Sequence, residues 1–168
     1  MPAPAGMELG EPPPAVPRPL PKGFEFRQKW SNNVVALVGG IFCAIGTLLF
    51  LVMICVLPVG APLPFLFMVG GAFMMRAGRK QANGVLNAFR EGVAVEGNVS
   101  GVQLDMSQTI NGRHPWIMTY LFPVGGELVE GSVTTFSSAV ETRSKGQPLW
   151  VLYLQDDPEQ STIYPPIR

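Results

Sequence analysis

Few side chains in this sequence could do hydrolytic chemistry. The chain has one histidine, His114. A nucleophilic relay would use it as base, with Ser107 as nucleophile and Asp105 to orient the imidazole. Nothing resembling a nucleophile elbow surrounds Ser107, and such a turn is what presents a serine hydroxyl for attack. His114 therefore reads as an exposed loop histidine. Asp156, Asp157 and Glu159 are oxygen donors suited to a hard cation, but they lack the spacing of a calcium loop, and Pro158 marks a plain turn. Cys43 and Cys55 are twelve positions apart, roughly 18 Å along a helix, too far for a disulfide. They read as small apolar packing residues. No glycine-rich phosphate loop is present. The sequence thus assigns no catalytic, cofactor-binding or metal-ligating residue, and no small-molecule substrate is evident.

The elements that would carry these residues follow from the distribution of charge. Formal net charge is zero with 12 basic and 12 acidic residues, yet residues 31–75 contain no Asp, Glu, Lys, Arg or His. A run of that length is too long for one buried core helix. Within it, 34–56 is a 23-residue apolar segment, about 34 Å as a helix and enough to cross a hydrocarbon core of about 30 Å. It starts too far along the chain, and runs too long, for a cleaved signal peptide. Pro58, Gly60, Pro62 and Pro64 then make a short connection. A second apolar run over about 59–76 is short; it either completes a membrane hairpin, with Arg76 snorkelling to the interface, or forms a re-entrant or interfacial segment.

Eight of the twelve basic residues flank this pair of segments on the side of the two termini: Arg18, Lys22, Arg27 and Lys29 before it, and Arg76, Arg79, Lys80 and Arg90 after it. Basic residues stay on the cytoplasmic face, so both termini are expected in the cytoplasm, with Trp30 as an interfacial anchor. The absence of intramembrane charge argues against transport by this chain alone. Small residues recur at Ala36, Gly40 and Ala44, and at Gly70 and Gly71. Such positions let helices approach closely, either with each other in one chain or with another subunit.

Residues 1–30 begin with a proline-rich tail, eight prolines in the first 22. It is expected to be extended or disordered, a plain arm or a PxxP-type ligand. A linker helix is expected over 79–91 and a small β-domain over 92–168. Alternation over Val93–Ser100 predicts a strand, and the apolar parity flips at Ser100–Gly101, which predicts a bulge. Asn111-Gly112 and Gly125-Gly126 predict turns. Further strands are expected over Trp116–Phe122, Leu128–Phe136 and Leu149–Leu154, with a last one at Ile163 and Tyr164. Four or five antiparallel strands would form a small barrel or bent sheet. From Glu91 onward there are nine acidic and four basic residues, the reverse of what a nucleic-acid surface needs.

The motif run Val95-Glu96-Gly97-Asn98-Val99, Tyr120 before Gly125-Gly126, Gly131, Gly146 and Val151-Leu152-Tyr153-Leu154-Gln155-Asp156-Asp157-Pro158-Glu159-Gln160-Ser161 resembles the ending of a bacterial membrane-protein family, the one with the domain of unknown function numbered 3592 (DUF3592). Gln155 stands where many relatives carry aspartate or proline. The resemblance implies one to three transmembrane helices joined to a small β-domain, in a bacterial inner membrane, and brings no catalytic residue with it. The sequence as a whole points to a membrane α-helical hairpin plus a small all-β domain. Its expected role is a non-enzymatic, membrane-anchored interaction module or accessory subunit, with a protein partner or a second copy. The alternative readings are a membrane-associated hydrolase-type enzyme using Asp105, Ser107 or His114, and an oligomeric channel or transporter component.

Overall fold

A computed structural model of the protein describes residues 9–31, 33–56, 62–107, 109 and 112–167. It divides into two compact units: Pro21–Asn83, and the chain up to Leu20 together with Gly84–Arg168.

The first unit is helical. A short helix α1 (Phe24–Phe26) runs into a wider helical turn, Arg27–Ser31. Helix α2 spans Val34–Val56. Its start is fixed by Asn33, whose side-chain oxygen accepts from the Ala36 backbone N–H at 2.9 Å, so one amide left unpaired by the helix start is satisfied. The connection over 57–61 lies outside the described residues. Helix α3 spans Pro62–Glu91, 30 residues without interruption, or about 45 Å. The second apolar run and the linker helix expected over 79–91 are thus parts of one helix. Pro62 and Pro64 fall in the first turn, where a missing N–H costs no helical bond. The helix continues through Gly84 despite its low propensity, and the Gln160 side chain occupies the space that a Cβ there would need.

The second unit is a nearly closed five-stranded antiparallel sheet: β1 (Val93–Leu104), β2 (Trp116–Val124), β3 (Glu127–Thr135), β4 (Pro148–Leu154) and β5 (Asp157–Tyr164), in the order β3-β2-β1-β4-β5. Gly125 and Gly126 both have positive φ, 60° and 95°, and join β2 to β3 directly after the Val124–Glu127 pair. That two-residue loop suits the twist of the flanking strands. The register of β1 against β2 slips between Val99 and Gly101, where the apolar parity of the sequence flips, so Val99 and Val102 both turn to the core. Gly112 has positive φ; Asn111, the other half of that expected turn, lies outside the described residues. β5 begins at Asp157, earlier than the expected short strand at Ile163 and Tyr164. Pro158 sits inside it, and an edge strand tolerates the lost donor.

The core gathers Val99, Met118, Tyr120, Phe122, Val140, Leu149, Val151 and Ile163. The two edge strands β3 and β5 come close to each other, and one side chain spans the seam: the fully buried Tyr120 hydroxyl shares a 3.0 Å hydrogen bond with Ser161 of β5. Its ring fills the space above Gly131 of β3, where a Cβ would run into the ring and come within 2.6 Å of Ser161 Oγ. Gly131→Ala is accordingly expected to cost about 1–3 kcal/mol by overpacking, read by urea denaturation. Burial pushes the Tyr120 pKa up to about 12. An unfolded tyrosine ionises near pH 10, so through this window the unfolded state releases its proton first and stability falls as pH rises. A gap of about two units is worth about 3 kcal/mol. Tyr120→Phe should therefore lose about 1 kcal/mol at neutral pH yet show a shallower loss between about pH 10 and 12, measured by the same denaturation series.

Candidate functional site

Among the described residues, the side chains suited to catalysis take part in local contacts. The Ser107 hydroxyl donates to Asp105 Oδ1 at 2.5 Å, and the Ser107 backbone N–H donates to the same oxygen at 2.9 Å. This is a local side-chain-closed turn, and it places the serine on the carboxylate that a relay would reserve for the imidazole. The imidazole Nδ1 of His114 instead lies 3.3 Å from Thr109 Oγ1. Asp156 falls in the β4–β5 turn, while Asp157 Oδ2 accepts from Gln160 Nε2 at 2.6 Å within β5. Among the described residues no three His, Cys, Asp or Glu side chains converge to hold a metal ion. An open hollow of about 350 Å³ beside Glu91 and Asp156 is lined by Asn87, Val93, Leu154 and Gln155.

What the helical unit does assemble is a seam of bare backbone between α2 and α3. A Cβ placed on Gly39 would lie 2.6 Å from the Met75 nitrogen, one on Gly46 the same distance from the Met68 nitrogen, one on Gly71 2.5 Å from the Cys43 nitrogen, and one on Gly78 2.8 Å from the Ala36 nitrogen. Rising numbers on α2 meet falling numbers on α3, so the helices pack antiparallel. Of the residues singled out from sequence, Ala36 and Gly71 are buried in this seam, Gly40 is half-buried, and Ala44 and Gly70 are exposed. Within the chain, the contact with α3 runs along a line beside the 36-40-44 stripe. Four residues turn a helix about 40° past a full circle, so a 36-40-44 line drifts off the contact, whereas 36-39-43-46 alternates steps of three and four and stays on it. On α3 the matching line is Pro64, Met68, Gly71, Met75 and Gly78.

Polar and aromatic contacts fasten the same pair. Asn33 Nδ2 donates to the Gly78 carbonyl at 2.7 Å, Phe42 packs edge-on to Phe67 and Phe50 against Phe65, both with centroids 5.9 Å apart. The Arg79 guanidinium lies over Trp30, 5.3 Å from its ring centre. The sequence signal that would have found Asn33 is its position directly before the first apolar residue, a preferred helix-cap site.

The most built polar site lies in the β-unit, where the proline-rich arm meets the end of α3. Arg18, 5% exposed, donates its backbone N–H to Arg90 O at 2.8 Å. Its guanidinium donates to the carbonyls of Gly92 at 2.7 Å, Phe89 at 3.3 Å and Pro14 at 2.8 Å. A cation thus caps carbonyls that a helix leaves unpaired at its negative end. Burial lowers the Arg18 pKa, and Tyr164 nearby pulls it back up. At the other end of the arm the Trp150 indole N–H donates to Gly10 O at 2.9 Å. The expected loose tail is, over residues 9–20, part of the compact β-unit. Nothing in the proline pattern separates a free arm from one tied down by a single arginine.

No protein-family profile, curated protein or solved structure matches this chain.

The seam makes a paired test. Gly39→Ala and Gly71→Ala must push backbones apart and should each cost about 1–3 kcal/mol. Gly70→Ala meets open space and Gly40→Ala only ordinary contact with Trp30, so both should be neutral within about 0.5 kcal/mol. Thermal unfolding of detergent-solubilised protein, followed by circular dichroism, separates the two pairs.

Proposed function

We propose that the protein is a non-enzymatic, membrane-anchored interaction module, with α2 and the apolar start of α3 as its anchor and the β-unit as its binding part. The observation that carries this reading is α2. It is long and apolar enough to cross a membrane, with mean hydropathy 2.6 over its most apolar stretch, and only 11% of that stretch is buried in the protein. A helix in a soluble core would be largely covered. Here Ile41, Ile45, Leu48, Leu51 and Val52 all face outward, and lipid is the medium that accepts such a surface without cost.

Two further features support the anchor. The glycine seam provides the close van der Waals packing that joins helices in lipid, where burying apolar surface brings no gain. The helical unit also carries six basic residues, Lys22, Arg27, Lys29, Arg76, Arg79 and Lys80, against the single acidic Glu25. All of them flank the apolar stretches on the side of the two termini, which is the distribution expected when that side is cytoplasmic.

The protein should stay in the membrane pellet after alkaline carbonate extraction, and a reporter fused after Arg168 should be active on the cytoplasmic side. Release into the soluble fraction removes the anchor. A reporter active only on the far side leaves α2 crossing alone and overturns the cytoplasmic placement of the β-unit.

A further inference from the structure

The arm is held on the β-unit at two points, Gly10 by Trp150 and Arg18 by the carbonyls of Phe89 and Gly92, and it bends between them over residues 15–17. The register pairs Trp150 of β4 with Tyr164 of β5, so the two aromatic side chains stand next to each other on one face of the sheet, with cross-strand neighbours about 5 Å apart at Cβ. Phe89 of α3 adds its ring to Tyr164, centroids 6.1 Å apart. Proline-rich segments suit aromatic surfaces of this kind because proline fixes φ, so the segment loses little entropy on binding. A tryptophan N–H reading a carbonyl of the segment, as Trp150 reads Gly10, fixes its direction. The carbonyls of Phe89 and Gly92 add a socket for one guanidinium, which proline alone would not fill.

We infer that this face of the β-unit is a recognition site for a proline-rich segment carrying one arginine, occupied in this chain by its own residues 9–20, which bend over 15–17 to bring Arg18 into its socket. The arm holds the site in cis, and a segment of the same chemistry on a partner competes for it. The inference rests on the reading of the β-unit as a binding part. It does not depend on the membrane, so the two can fail separately.

The test uses the full-length chain in detergent with Arg18→Ala, which frees the arm without removing it. A fluorescent peptide of residues 9–20 should bind this variant saturably by anisotropy, and bind the unaltered chain at least tenfold more weakly because the arm there occupies the site. Replacing the arginine of the peptide by alanine, or its prolines by alanine, should weaken binding at least tenfold. Trp150→Phe in the chain keeps the ring, loses the donor, and should weaken binding about fivefold. If Arg18→Ala prevents folding, Arg18→Lys replaces it, since lysine keeps the charge but not the planar fork. No saturable binding to either freed variant overturns the proposal, as does equal binding of the alanine-substituted peptides. Loss of peptide binding with retention in the carbonate pellet would sink this inference alone, whereas peptide binding by a protein released from the pellet would sink the anchor alone.

Discussion

The contact between α2 and α3 is made by positions that have no side chain. At Gly39, Gly46, Gly71 and Gly78 one backbone lies where a Cβ would be, and the facing helix can come no closer with any other residue there. Everything else about the helical unit follows from that approach. It settles which edge of α2 is inward, and so turns the larger apolar side chains outward. It brings Phe42 to Phe67 and Phe50 to Phe65, and it sets Asn33 beside the Gly78 carbonyl. Close packing of this kind gains dispersion energy from many weak contacts, which is the term that survives when the surroundings are as apolar as the protein.

The β-unit meets a different constraint. Five strands are few for closing a sheet, and the seam between β3 and β5 is bridged by a side chain. Tyr120 reaches from β2 across Gly131 to Ser161, so a polar group buried in the core is satisfied at the place where backbone pairing stops. The arm contributes a second closure. Arg18 supplies donors to the buried carbonyls at the end of α3, which a helix running straight into a strand cannot provide for itself.

Much of the strand pattern was legible because it depends on local alternation and on turn chemistry. The parity flip at Ser100 gave the bulge, and Gly125-Gly126 gave the β2–β3 connection. The long apolar helix was legible for the same reason: 23 residues without charge need no partner to be recognised. What was not legible depends on pairs of distant residues. Gly84 and Gly40 are alike in sequence, yet the Gln160 side chain fills the space beside one while the other meets only Trp30. The offset between a 36-40-44 line and the observed 36-39-43-46 line is set by the partner helix. Pro158 reads as a turn until β5 is known to be an edge. Arg18 looked like one more basic residue in front of a span; only the fold shows that it is buried.

The proposed anchor requires α2 to lie in hydrocarbon with one dry edge against α3. Spin labels placed one at a time along Val34–Val56 in protein reconstituted into lipid vesicles measure this directly, through the accessibility of each site to oxygen and to a water-soluble nickel chelate. Nickel should be excluded through the middle of the helix, and oxygen accessibility should rise and fall with a period near 3.6, lowest at the half-buried positions 43 and 50 beside the seam; Gly39 and Gly46 stay unlabelled, because no side chain fits there. Nickel access at residues such as 45 or 48, or oxygen accessibility without that period, would contradict the anchor.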